Sequence, residues 1–380
     1  MDRGRLIGMV CSVVVGLALS VSGLAAQEPE PAPGELVLAN GPELTLADVI
    51  APGSGALFVV GRGGDPGLRV QRSDDGGSTW RPVSLPPPAD ARQPQVLAID
   101  PTSHTTLYAT GAEGLYKSDD DAASWQPLLP IAEPNVTIAV SPADRQLVYL
   151  GLRAEKLQRI LRSQDGGASW ETAYTYESAE SKCGDPLFIG PHPVDASRVF
   201  ANVTCDWQVT GDLYQSRDRG ASWDPMLAQA SYFDNGYPIA VTGGAGPAPE
   251  RLHVGFTDHY AHNPGFQLDL PIYRSDDDGQ TWRQRVIVSR KVGGPKSQER
   301  NKAILKALVV DQAAPDLVYV GLKNAQAEKQ QPLLMSDNGG STWKPLDIGE
   351  AKDVLGAALG VDRQNLYAVT DLGLYRLRLR

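Results

Sequence analysis

Six segments of the chain share the pattern S-x-D-x-G-x-[ST]-W: Ser73–Trp80, Ser118–Trp125, Ser163–Trp170, Ser216–Trp223, Ser275–Trp282 and Ser336–Trp343. Six of the seven tryptophans close one of these segments, at spacings of 45, 45, 53, 59 and 61 residues. Ala122 replaces the glycine of the second copy and Asn338 the aspartate of the sixth. The pattern reads as a tight connection between two strands. An aspartate and a serine hydroxyl can bond the amides of the turn, the glycine permits positive φ, and the tryptophan packs beneath. Asp75, Asp120, Asp165, Asp218 and Asp277 are therefore expected to be structural, as are Trp80, Trp125, Trp170, Trp223, Trp282 and Trp343. Calcium ligation by these acids is the weighed alternative, and their repetition argues against it.

Each segment follows a short apolar run such as Gly114–Ser118 or Pro271–Ser275, and two more runs come before that, for example Thr137–Val140 and Val148–Leu150. Gly, Pro, Asp and Ser bound these runs, which is strand punctuation. Four strands in about 45 residues is the period of a propeller blade. After the sixth segment, Ala357–Leu359, Leu366–Val369 and Leu374–Leu377 repeat three strands and a fourth is missing. Glu35–Ala39 stands alone before the first unit and can supply it. The expected fold is all-β: one seven-bladed propeller over 35–380, built from four-stranded antiparallel blades and closed by the N-terminal strand, with six blades as the runner-up.

The 39 Gly and 29 Pro suit a chain made of turns, and 42% apolar content is enough for a core. A formal net charge of −10 excludes general nucleic-acid binding, which needs a basic face. Residues 1–26 read as a signal peptide: Arg3 and Arg5, an apolar stretch, then Ala25 and Ala26 before Gln27. An uncleaved anchor is the alternative. Residues 27–34 form a Pro/Glu linker. The mature chain is then exported as a monomer with no membrane span. It retains Cys183 and Cys205, placed symmetrically about a turn near residue 194. A disulfide across that hairpin is expected, with two free thiols as the alternative.

Strand direction alternates, so the links from first to second strand share one rim with the repeated turns. The other rim receives the long insertions, where binding residues are expected. The candidates there are Trp207, Tyr232, Tyr237, Asp258, His259, Tyr260, His262, Arg290 and Arg300. The spacing of His259 and His262 matches no standard zinc pattern, so no metal and no cofactor is assigned. The glycines at 61–67 precede no helix and read as a turn.

The six motifs resemble the Asp-box, or BNR-repeat, propeller superfamily over the whole mature chain. That superfamily includes sialidases, xyloglucan-type glycosidases, sortilin-like receptors and photosystem II assembly factors. The resemblance implies the fold and leaves function open. Sialidases would bring an Arg-Ile-Pro segment before the first box, whereas residues 68–72 read LRVQR. Xyloglucan-type enzymes usually pair two propellers, and one is present here. The expectation is an exported, non-catalytic ring that docks a protein or glycan on its long-loop rim. The alternative is an exo-acting, sialidase-like glycoside hydrolase.

Overall fold

A computed structural model of the chain describes residues 33–379 except 42–43, 53–54, 64–67, 88–94, 134, 155, 178–187, 202–212, 228–237, 244–250, 257–266 and 292–302. Strand β1 is Glu35–Ala39. Blade 1 holds β2 (Thr45–Ile50), β3 (Leu57–Arg62), β4 (Arg69–Ser73) and β5 (Arg81–Val83). Blade 2 holds β6 (Leu97–Ile99), β7 (Leu107–Gly111), β8 (Gly114–Ser118) and β9 (Gln126–Leu129). Blade 3 holds β10 (Asn135–Val140), β11 (Val148–Ala154), β12 (Leu157–Ser163) and β13 (Glu171–Glu177). Blade 4 holds β14 (Ile189–Pro191), β15 (Val199–Ala201), β16 (Leu213–Ser216) and β17 (Asp224–Leu227). Blade 5 holds β18 (Pro238–Gly243), β19 (Leu252–Phe256), β20 (Gln267–Ser275) and β21 (Arg283–Lys291). Blade 6 holds β22 (Ile304–Val310), β23 (Val318–Lys323), β24 (Leu333–Ser336) and β25 (Lys344–Pro345). Blade 7 holds β26 (Val354–Leu359), β27 (Asn365–Thr370) and β28 (Gly373–Arg378).

The sheets are seven and four-stranded, and β1 is the outer strand of the last, against β28. The protein is thus a seven-bladed propeller whose ring is closed by its first strand. Helix among the described residues is limited to the 3-10 turn Ala325–Glu328. None is long and apolar enough to cross a membrane.

The repeated turns work as their composition dictates. Ser73 Oγ donates to Asp75 Oδ1 and accepts from Gly77 N–H, both at 2.8 Å. Asp75 also accepts from the amide and hydroxyl of Thr79. These bonds hold the exposed acids Asp75, Asp120, Asp165, Asp218 and Asp277 ionised, with pKa values lowered to about 2, chiefly by the Ser/Thr hydroxyl. Ala122 takes the glycine's place at φ 63°. Asn338 keeps the acceptor role toward Thr342 N–H and donates to its hydroxyl. Four tryptophans donate Nε1–H to the motif glycine of their own turn. Trp125 and Trp343 instead donate to Ser84 and Val286 of the preceding blade.

Each blade grips the next through the turn. A buried ring stands second in most second strands, as Phe58, Tyr108, Tyr149, Phe200 and Tyr319, and third in β27, as Tyr367. Tyr108 and Tyr367 donate to the carbonyls of Gly166 and Gly76 on the following blade. Basic residues on the third strands reach the same turns, Arg162 and Arg72 just before a motif serine and Arg376 at the matching position of the seventh blade, which has no motif. Arg162 reaches the Arg219 carbonyl at 2.8 Å, Arg376 reaches that of Gly76 at 3.0 Å, and Arg72 pairs with Asp121.

Three expectations about loops are corrected. The sequence reads Ala173–Asp185, Phe256–Leu270 and Ser289–Lys302 as insertions, whereas β13 continues to Glu177, β20 begins at Gln267 and β21 runs to Lys291. Arg290 therefore stands on a strand, opposite Leu268. Residues 171–177 (ETAYTYE) and 283–291 (RQRVIVSRK) are rich in Thr, Tyr, Val and Ile, and their inner neighbours are equally long, so the ladder extends.

Blade 5 carries His253 at the aromatic position, fully buried, with neither ring nitrogen hydrogen-bonded. Burial first, and then Arg274 and Arg251, push its pKa down to about 3; Asp276 and Asp316 oppose this. The depressed value means that the unfolded chain takes up the proton first, so stability present above about pH 6.5 falls as pH drops toward 3. His253→Phe should therefore shrink the loss of unfolding free energy between pH 7 and pH 4 by an amount on the order of 1–3 kcal/mol relative to wild type. Parallel pH slopes for the two proteins in thermal unfolding would disprove it.

Candidate functional site

The innermost strands β2, β6, β10, β14, β18, β22 and β26 stand around the axis, with β2 against β26 and β26 against β22. They are short, apolar and built of small residues, as a crowded axis requires. Only two of their side chains are charged: Asp48 on β2 and Lys306 on β22. Both stand at or beside a bulge, the register shifting between Leu46 and Asp48 and between Leu305 and Ala307. Bulges re-aim side chains, which is how a strand otherwise committed to packing presents a polar group.

Asp48 pairs with Val60, two residues beyond Phe58. The same level in other blades is occupied by Thr137, Ala240, Ala307 and Gly356, paired with Gly151, Gly255, Gly321 and Val369. In those four blades the residue at this level is small, whereas Val96 and Phe188 hold it in blades 2 and 4. Asp48 lies over Gly356 of the adjoining blade, where a Cβ would come within 2.3 Å of Asp48 Oδ1. The side chain is exposed, and its Oδ1 accepts from Val49 N–H at 2.8 Å. Desolvation raises its pKa to about 6, against the lowering effect of that amide. Lys306 is exposed one position nearer the rim that bears the insertions.

The motif acids offer a contrast. Each is saturated with donors and held ionised, so none can deliver a proton near neutral pH. Asp48 is the described carboxylate whose proton comes and goes in that range. Its signal in the sequence is an acid within the run TLADVI, and Gly356 interrupts VLGAAL in the same way.

Most of the binding residues expected from sequence fall outside the described residues: Trp207, Tyr232, Tyr237, Asp258, His259, Tyr260, His262 and Arg300. Cys183 and Cys205 do too. The hairpin beside them pairs Ile189 with Ala201 and Pro191 with Val199, which centres it on residue 195, one residue past the midpoint of the cysteines. Among the described residues, no group of three or more His, Cys, Asp or Glu could hold a metal ion.

The raised value of Asp48 carries a stability sign. The folded state keeps a proton that the unfolded chain releases near pH 3.8, so stability falls as pH rises through 6. Asp48→Asn should raise stability at pH 7 by about 1 kcal/mol, after allowance for screening by channel water, and by nothing at pH 4. Denaturant midpoints at the two pH values test this, and a gap of equal size at both would refute it.

No protein-family profile matches the chain. A xyloglucanase from Paenibacillus sp is 25% identical over 259 residues, which is 56% of this chain and 23% of that protein. Three further curated xyloglucanases match at 22–26% identity. The chain spans only 23–32% of the length of these relatives. Among solved structures, the GH74 xyloglucanase from Xanthomonas campestris superposes with a TM-score of 0.65 at 17% identity, over 90% of this chain and 53% of that one. An oligogalacturonate lyase gives 0.60 at 11% identity, over 93% and 95%. These structural likenesses are likenesses of fold. The curated relatives are enzymes, and this overturns the expectation of a non-catalytic docking ring in favour of the glycoside-hydrolase alternative, with xyloglucanases in place of sialidases.

Proposed function

We propose that the chain is an exported propeller glycoside hydrolase that cleaves a neutral, xyloglucan-type polysaccharide. The observation that carries this reading is the match to four curated xyloglucanases, the longest over 73% of the chain. Charge supports the choice of polymer. A protein of net charge −10 repels a polyuronate and is indifferent to a neutral glucan. The polysaccharide would lie on the insertion-bearing rim, because long connections on a rigid scaffold are where binding residues concentrate. Export rests on the basic and apolar leader at 1–26.

Hydrolysis of this kind needs a protonated carboxyl at the leaving oxygen and a second carboxylate across the sugar ring. The purified chain, incubated with xyloglucan, polygalacturonate and ulvan in parallel, should release reducing ends from xyloglucan alone, without the ultraviolet-absorbing unsaturated ends that elimination leaves. Unsaturated products from the acidic polymers, or no cleavage of any of them, would overturn the reading.

A further inference from the structure

We infer that the seam between blades 5 and 6 is an acid-operated gate in the ring. His253 keeps it shut while uncharged, and binds a proton in acid only as the two blades part and water reaches the imidazole. Other blades use this position to present a ring to the motif turn of the next, as Tyr108 does to Gly166 and Tyr367 to Gly76. Blade 5 places a base there. The side chain is fully buried, and neither nitrogen has a hydrogen-bond partner. A neutral imidazole leaves one N–H unsatisfied; the cation would leave two and bury a charge as well. The closed seam therefore excludes the charged form.

The groups that face His253 offer the cation no compensation. Arg274 stands opposite it on β20, and Arg251 stands two residues before it. The acids are Asp276, in the turn of its own blade, and Asp316, in the first link of blade 6. Both are engaged already. Arg251 pairs with Asp276 at 2.8 Å and with Asp316 at 2.6 Å; Arg274 pairs with them at 2.6 and 3.3 Å. Two guanidiniums thus balance two carboxylates, and a proton on His253 would leave the closed seam with a net positive charge. β18 contains no charged residue, and Lys306 is the one charge of β22. On blade 6, Asp311 pairs with Arg363 and Asp337 with Lys344. The turn of blade 6 has Asn338 in place of the motif aspartate, and its carbonyl accepts from Arg274. His253 and Asn338, each a departure from its repeat, fall at one seam. Burial, and then the two arginines, keep His253 neutral down to about pH 3 in the closed form. A hydrated imidazole binds its proton near pH 6.5, so acid favours the open form.

The test is amide hydrogen exchange of the whole chain at about pH 7 and pH 4.5, both above the ordinary aspartate range, corrected for intrinsic rates and read blade by blade. Protection in blades 5 and 6 should fall about 50-fold between the two and return at pH 7. Blades 7 and 1 contain no histidine, and Tyr367 and Arg376 close their seam. Their protection should change by less than about threefold. His253→Phe installs the ring that blades 1 and 4 carry as Phe58 and Phe200. It should cut the fall in blades 5 and 6 to less than about threefold, and so should His253→Gln, which is polar but cannot titrate. Wild-type protection that does not fall, or that falls equally in all blades, overturns the gate. So does a fall in blades 5 and 6 that survives either substitution.

Discussion

The grip of each blade on the turn of the next is the interaction on which the ring depends. A propeller has no single core; its apolar clusters lie between neighbouring blades, each drawing on two sheets. Such layers could slide if apolar contact alone held them. What fixes them is directional. A motif turn offers carbonyls such as those of Gly76, Gly166 and Arg219, and a tyrosine hydroxyl or a guanidinium of the neighbouring blade binds them. The serine and aspartate of the motif hold the turn in the one conformation that presents those carbonyls. The acids are therefore occupied by their own turns, which removes them from chemistry.

The same geometry sets what the axis can hold. Inner strands meet most tightly there, so their residues are small, and a carboxylate set among them loses hydration. Asp48 accepts that penalty at neutral pH. That carboxylate lies over Gly356, where any other residue would foul it.

The ring was legible from the motif because its side chains serve their own turn, so local spacing carries the information. The closing role of Glu35–Ala39 was legible by counting strands. The buried ring of each second strand was also written in the chain, in LFVV, LYAT, VYLG, VFAN, LHVG, VYVG and LYAV, and it predicts His253 as the odd member. Asp48 was harder to see. Its meaning depends on β26, about 300 residues away in sequence, and on a bulge that no local pattern marks. Arg290 was misplaced because basic residues read as loop, while the ladder with β20 holds it in a strand. The long-loop aromatics and histidines gave no fixed spacing, since insertions carry no periodicity.

The seam between β1 and β28 joins Glu35 to Arg376, 341 positions apart, with an ion pair at 2.6 Å. Until the final strand has been synthesised, the seventh sheet lacks an edge and the circle stays open. A ring whose last lock joins strands so far apart in sequence closes late in folding, because that contact carries the largest loop-closure cost.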